Sequence, residues 1–370
     1  PTVCNAINIF GLTAVSNFFA AITLSYIAAG ILGTPAYGEP GSGIILGIGA
    51  ALNGLISLVV VYVAGSRSIK IAERLMMILL ICLTSWITVV VFKTTTVAQL
   101  IAWRPDAANI MPMGIGVDAM IAFSMTWSTV VGDFTRYTGS KKAATLAPML
   151  GANLAVYWFA LVGTLGVISV AINTGVFNPN NADPSSIAVS LGLGWVALLV
   201  VVFSTITTNM IDIYAGAYNL MNIFPKLNFK KTVVFTGVIC IFISWIPIVV
   251  GNFIGAFFWF MSILGAIFPP LLAVMIVDYF IVRKGNYKIE ELLSKKGLYW
   301  YSNGFNWYGL GSWMAGAVIF VILRSNGFGI NSIGAVLPGF FITAAIYYFA
   351  AKVAVSRGAY HEVIKDEKVG

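Results

Sequence analysis

A carboxylate in the middle of an apolar stretch is the first group here with chemistry to offer. Asp212 closes the run Ser204-Thr205-Ile206-Thr207-Thr208-Asn209-Met210-Ile211-Asp212, with apolar residues before and after it. An Asp at the centre of a membrane helix costs about 2.5–3.5 kcal/mol on insertion scales, which makes it a functional candidate by default. Ser204, Thr208 and Asp212 recur at i, i+4 and i+8, and Thr205 and Asn209 flank the same helical face. Hydroxyl and amide oxygens are hard ligands suited to a small cation, and unwound backbone carbonyls complete such sites. The alternative is interhelical hydrogen-bond glue, which Ser, Thr and Asn commonly supply. The Asn and Asp in one stripe favour a site.

A second polar cluster runs through Phe123, Ser124, Met125, Thr126, Trp127, Ser128 and Thr129, then on to Asp133 and Arg136. Phe123 and Trp127 stand one helical turn apart, as packing aromatics or as a stacking wall for a planar ligand. The small polar residues around them favour a cavity. Asp133 and Arg136, three residues apart, form a local ion pair or a gate. The first apolar stretch holds Asn5, Asn8, Thr13, Ser16 and Asn17, which either sit at an interface or reach a cavity. Pro269-Pro270, Asp278 and Arg283 mark a broken or terminating helix. The single histidine, His361, lies near the C-terminus, and Cys4, Cys82 and Cys240 lie in apolar runs as small buried hydrophobes. Zinc clusters and histidine catalysis at membrane depth are excluded by count. No cofactor is expected beyond a coupling sodium ion or proton, and no phosphate-binding Gly-Lys-Ser/Thr loop is present.

The elements that must position these groups are membrane helices. Hydrophobic residues make up 59% of the 370 and charged residues 9%, against about 45–50% and 25% in soluble domains. So few charges cannot cover a water-exposed surface, which excludes soluble enzymes, nucleic-acid binders and disordered chains. Apolar runs predict ten helical spans at 5–32, 43–64, 71–95, 115–134, 144–171, 195–222, 231–250, 253–281, 309–324 and 332–351. A mildly apolar stretch from Ser185 to Gly194 reads as a short surface helix. All 21 lysines and arginines except Lys93, Arg104 and Arg324 fall in alternate gaps or after the last span. The positive-inside rule makes that side cytoplasmic, together with both ends of the chain. The expectation is an all-α, multi-pass protein of the cell membrane: one transporter domain over 1–370, with 353–370 as a cytoplasmic tail.

Three local patterns resemble the nucleobase–cation symport family of permeases for cytosine, purines, uracil, allantoin and hydantoins. They are Asp133-Phe134-Thr135-Arg136-Tyr137 closing a span, Thr207-Thr208-Asn209 in mid-span, and Asp278-Tyr279-Phe280-Ile281-Val282-Arg283-Lys284-Gly285. Gly297-Leu298-Tyr299-Trp300-Tyr301 and Gly304-Phe305-Asn306-Trp307 follow the last in order. The resemblance covers essentially the whole chain. It implies the leucine-transporter-type inverted repeat, with ten membrane helices present of twelve and the first span matching the family's third. With Pro1 in place of Met, it implies two further spans upstream. It also implies that Thr207 and Thr208, with Ser204, supply sodium-ligand oxygens, and that Asn209 or Asp212 faces the substrate. Ile9 stands where the family often has a stacking aromatic, and Thr13 stands at a position that can be Gln. Ser124 stands at a second aromatic position, with Phe123 and Trp127 nearby.

The function expected is cation-coupled uptake of a nucleobase or related heterocycle. An amino-acid or other small-solute symporter of the same fold is the nearest alternative. A membrane enzyme lacks a partner for Asp212, and a channel lacks a charged ring or filter sequence. Substrate and lipid are the expected partners, with no nucleic acid.

Overall fold

The computed structural model describes residues 2–135, 138–292, 294 and 297–360, with the backbone alone for 64–70, 133 and 134. Among them the chain forms α1 (Thr2–Leu32), α2 (Ser42–Thr94), α3 (Val97–Ala102), α4 (Met113–Thr126), α5 (Val131–Thr135), α6 (Lys141–Thr174) and α7 (Pro184–Ser190). These are followed by α8 (Gly194–Ile223), α9 (Phe229–Ser244), α10 (Ile246–Val250), α11 (Phe253–Ile276), α12 (Trp307–Ser325) and α13 (Val336–Ser356). Ten stretches among the described residues are long and apolar enough to cross a membrane, in the order expected.

Helix ends fall where side chains satisfy the free backbone groups. Ser140 caps α6 by accepting from Ala143 N, Asn228 caps α9 through Lys231 N, and Asn306 caps α12 through Gly309 N. Thr96 and Gln99 form a reciprocal capping box on α3.

The second and third spans are present as expected, Ser42–Val63 and Ile71–Thr94, both within α2. These two arms run in opposite directions along α8. Asn53, Ser57 and Val61 meet Thr205, Ile206 and the Met210 core in ascending order. Met76, Met77 and Leu80 share a groove with Thr207 and Ile211, while Val91 joins the core of Ala197 and Val201. The two arms are thus antiparallel, as two successive spans require. Other expectations are corrected. The fourth span is interrupted by a 3₁₀ turn at Trp127–Thr129. Helix α11 continues through Pro269 and Pro270 and ends in a π turn over Val277–Val282. The Ser185–Gly194 stretch is not a surface helix: Ser185, Ser186, Ile187 and Ala188 of α7 are buried. Ser185 and Ser186 bond Thr23 and Tyr26 of α1. Cys4 and Cys240 are buried as expected, but Cys82 is exposed. Of the expected tail, residues 361–370 lie outside the described residues.

The chain divides into two compact units. The larger comprises Thr2–Ile110 and Val131–Phe257. Its axis is α8, whose residues join two separate cores. Ala197 and Val201 pack with Leu83, Ile87, Val91 and Val162. Met210, Ile213 and Ala217 pack with Leu58, Val61 and Val233. A third core joins Phe18, Ala21 and Ile22 of α1 to Leu46, Ala50 and Phe253. Close approach of helices in lipid depends on small residues. A Cβ on Gly54 of α2 would lie 2.5 Å from Ile241 Cγ1 and 3.2 Å from Asn17 Nδ2.

The smaller unit comprises Met111–Val130 and the chain from Phe258 onward. Asp118 of α4 caps another helix: its carboxylate accepts from Ala335 N at 3.0 Å and Val336 N at 2.8 Å, at the start of α13. Arg324 of α12 pairs with it at 3.3 Å. At the end of α11, Arg283 is buried and bonds Asp278 at 2.7 Å and the Tyr301 hydroxyl at 2.7 Å. The rings of Tyr287, Tyr299 and Tyr360 stand 5.2, 5.2 and 5.0 Å from its guanidinium carbon. Burial, and then the Asp278 carboxylate to which it donates, hold the Tyr287 phenol well above its ordinary value.

Candidate functional site

Three buried asparagines meet inside the larger unit. Asn17 sits mid-way along α1, Asn53 on the first arm of α2 and Asn209 mid-way along α8, each exposed by 1% or less. Asn53 Nδ2 donates to Asn17 Oδ1 at 3.0 Å, and Asn209 Nδ2 donates to the same oxygen. Thr205 Oγ1 donates to Asn53 Oδ1 at 3.3 Å. Ser57 Oγ donates to Asn53 O at 2.8 Å and to Ile206 O at 3.3 Å. Asn17 Nδ2 and Asn209 Oδ1 have no partner, although both are buried. Turning all three amides over preserves every bond with donor and acceptor exchanged, and still leaves one atom on each of Asn17 and Asn209 unpartnered. Either way the pair offers one donor and one acceptor. A buried polar atom left unpaired costs about 1–3 kcal/mol, so these two are poised for a ligand or water.

Asp212, one turn further along α8, is buried at 7% exposure, and its Oδ2 has no hydrogen-bond partner. It faces α1 and α9. The Cys240 thiol of α9 lies within hydrogen-bonding reach of the Thr13 hydroxyl and interacts with Asp212 at longer range. Thr13 Oγ1 donates to Ile9 O at 2.8 Å, and both residues are buried. On the next turn, a Cβ on Gly216 would lie 2.8 Å from Thr236 Cγ2 and 3.2 Å from Ile9 Cγ2. Thus Ile9, Thr13, Asn209 and Asp212 share one polar interior.

The other predicted oxygens turn elsewhere. Ser204, Thr207 and Thr208 line a groove of about 630 Å³ with Glu73, Met76, Met77, Leu80 and Trp158. Thr207 Oγ1 donates to Ser204 O at 2.9 Å. The stripe of five polar residues is therefore split between two faces of α8. At 3.6 residues per turn, two steps of four rotate the face by about 80°, enough to carry it from the groove into the interior. From α8 the groove receives three hydroxyl side chains and from α2 the Glu73 carboxylate, against the six or more oxygens that hard divalent cations such as calcium gather. Among the described residues no cluster of His, Cys, Asp and Glu could hold a metal.

Phe123, Ser124 and Trp127 belong to the smaller unit. Phe123 is half-buried, while Ser124 and Trp127 are exposed. The Asp133–Arg136 pair lies outside the described residues. Two residues went unread in the sequence. Asn53 is a lone amide in an apolar run, and Asp118 is a carboxylate inside a predicted span. Each carried the signal of a polar group at membrane depth.

The fold is that of a known transporter class. A solved structure of Mhp1, a nucleobase-cation-symport-1 family transporter in a closed conformation with bromovinylhydantoin bound, matches with a TM-score of 0.67 at 18% identity. The match covers 95% of this chain and 76% of that one. It places the chain in the leucine-transporter-type fold. A putative allantoin permease of Escherichia coli (strain K12) is 28% identical over 193 residues, 51% of this chain and 40% of its own length. The allantoin permease of Bacillus subtilis (strain 168) is 27% identical over 218 residues, 57% and 43% of the two. The hydantoin permease of Microbacterium maritypicum is 29% identical over 168 residues, 44% and 32%. The chain spans less than half the length of these curated relatives. The profile of permeases for cytosine/purines, uracil, thiamine and allantoin matches residues 1–349, so this multi-pass membrane chain belongs to that family.

Proposed function

We propose that the protein moves a nucleobase-like heterocycle across the cell membrane, coupled to a cation, and leaves the solute chemically unchanged. The observation that carries this reading is the pair Asn17 and Asn209, buried at mid-helix with one donor and one acceptor unpartnered. An amide-bearing ring such as uracil, hydantoin or allantoin presents an N–H beside a C=O, the complement of that pair. The relatives are named for such compounds. Asn209 is the principal substrate contact in this proposal, and Asp212, Thr13 and Ile9 complete its wall. The lysine-rich gaps and the C-terminus lie on the cytoplasmic side, by the positive-inside rule.

A thermal-shift panel tests this directly, because a ligand that binds only the folded state raises Tm by mass action. Purified protein is heated with uracil, cytosine, allantoin, hydantoin, thiamine and a set of amino acids, at several pH values and with or without sodium. Stabilisation by one or more heterocycles is the expected result. Stabilisation by amino acids alone overturns the heterocycle reading in favour of a small-solute carrier of the same fold.

A further inference from the structure

A line of buried, unpartnered polar atoms continues from Asp212 toward one end of the α1–α8–α9 bundle. Asp212, Gly216 and Asn219 recur at i, i+4 and i+7, one face of α8. Asp212 Oδ2 and Asn219 Nδ2 have no partner, and neither have Thr236 Oγ1 on α9 and Asn8 Oδ1 on α1. All four residues are at least nine-tenths buried. Gly216 brings the helices together: its missing Cβ would touch both Thr236 and Ile9, the neighbour of Asn8. Beyond Asn219, α8 ends at Ile223; the turn to α9 carries Lys226, and the first turn of α9 carries Lys230 and Lys231. Four orphaned polar atoms on three helices are not explained by helix glue, because glue pairs its groups. Buried polar atoms without protein partners are the sites that internal water occupies.

The charges around Asp212 sharpen the point. From α9, Cys240 is close enough to interact with it electrostatically. From α1 come Thr13 and asparagines, which do not titrate; Cys4 sits at the start of that helix and Tyr26 near its far end. From α2 come Tyr62, beneath Lys230 at 5.0 Å, and Glu73, which lines the groove on the other side of α8. Asp183 caps α7 near the start of α8. Tyr214 and Tyr218 share its own helix. None of the ion pairs among the described residues involves Asp212. A carboxylate buried without a cation has a proton as its natural counterion.

Building on the transport reading above, we infer that Asp212 is a proton-binding site, reached from the lysine-bearing end of α8–α9 through the seam of Asn219, Thr236 and Asn8. The carboxylate takes one proton from water in the seam to become a neutral acid, and returns it to water on release; no other bond changes. Asn209 lies three residues away on the same helix, so proton occupancy of Asp212 alters the hydrogen bonding of the amide pair. That is the coupling a proton-driven carrier needs.

The test uses purified protein in lipid vesicles, with allantoin and uracil as probes. Infrared difference spectra across a pH step above about pH 5, where solvent-exposed carboxylates stay ionised, are expected to show a protonated carboxyl band that Asp212→Asn abolishes. The same variant, fixed neutral, is expected to lose the dependence of probe accumulation on the pH gradient. Asn219→Leu leaves Asp212 in place and is expected to keep the band while slowing its response to a pH jump. If Asp212→Asn does not insert, Asp212→Glu carries the test, and the band shifts rather than vanishes. A band that Asp212 substitutions leave untouched overturns the inference. So does full pH-driven accumulation by Asp212→Asn, or accumulation that follows sodium and is lost in Thr208→Ala. If neither probe is transported but the band is present and depends on Asp212, the proton site stands and the transport reading falls.

Discussion

Asn53 and Asn209 make a controlled comparison: both are fully buried amides in one network, and only Asn209 has an atom to spare. Asn53→Ala removes the bonds to Asn17 and Thr205. At about 0.5–1.5 kcal/mol for each bond, plus exposed partner groups, it is expected to cost about 2 kcal/mol of stability. Asn209→Ala removes one protein bond, to Asn17, and is expected to cost about 1 kcal/mol of stability. It also deletes the free carbonyl or amino group proposed to meet the ligand. Leaving a ligand group unpaired costs about 1–3 kcal/mol, a factor of about 5 to 150 in Kd. The order of the two variants therefore inverts between assays: Asn53→Ala is the worse for Tm, and Asn209→Ala the worse for affinity. Calorimetric titration of the stabilising heterocycle, alongside thermal unfolding, measures both. Equal losses of affinity in the two variants, or an unchanged Kd in Asn209→Ala, refute the assignment of the free atom to ligand.

Asp118→Ala leaves Ala335 N, Val336 N and Arg324 without their acceptor and is expected to lower stability by about 1–3 kcal/mol in thermal unfolding, with Asp118→Asn recovering part of the loss. Gly216→Val forces side-chain atoms into Thr236 and Ile9; the expected cost is about 1–3 kcal/mol, and Thr236→Ala restores part of it if the contact is the cause. Tyr287 has its folded pKa raised above the usual 10.0, so its stabilisation is complete below that value and is lost as pH climbs through the folded one. Alkaline unfolding followed by tryptophan fluorescence is expected to show a steeper loss above about pH 10 in the wild type than in Tyr287→Phe.

What the sequence made legible follows from which interactions are local. Ten spans were readable because each apolar run is a continuous segment about the length of a bilayer crossing. The helix caps at Ser140, Asn228 and Asn306 also lie within three residues of the groups they satisfy. The amide cluster is the opposite case. Asn17 meets Asn53 across 36 residues and Asn209 across 192, so spacing along the chain carries no trace of the meeting. Asn209 stood out because polar neighbours surround it, whereas Asn53 stood alone among aliphatics and passed unread. The polar residues of α8 at i, i+4, i+8 read as one surface only if that spacing runs straight along the helix. The true helical repeat carries Asp212 inward while Ser204 and Thr208 stay in the groove. That rotation has a functional consequence. It separates the hydroxyls from the carboxylate, giving the two faces of one helix different chemistry. One face is an apolar groove edged with hydroxyls; the other is a buried polar seam centred on an acid. Since Asn209 stands between them in sequence but belongs to the seam, a ligand held by its free amide atom is linked more directly to the protonation of Asp212 than to a cation bound among the groove hydroxyls.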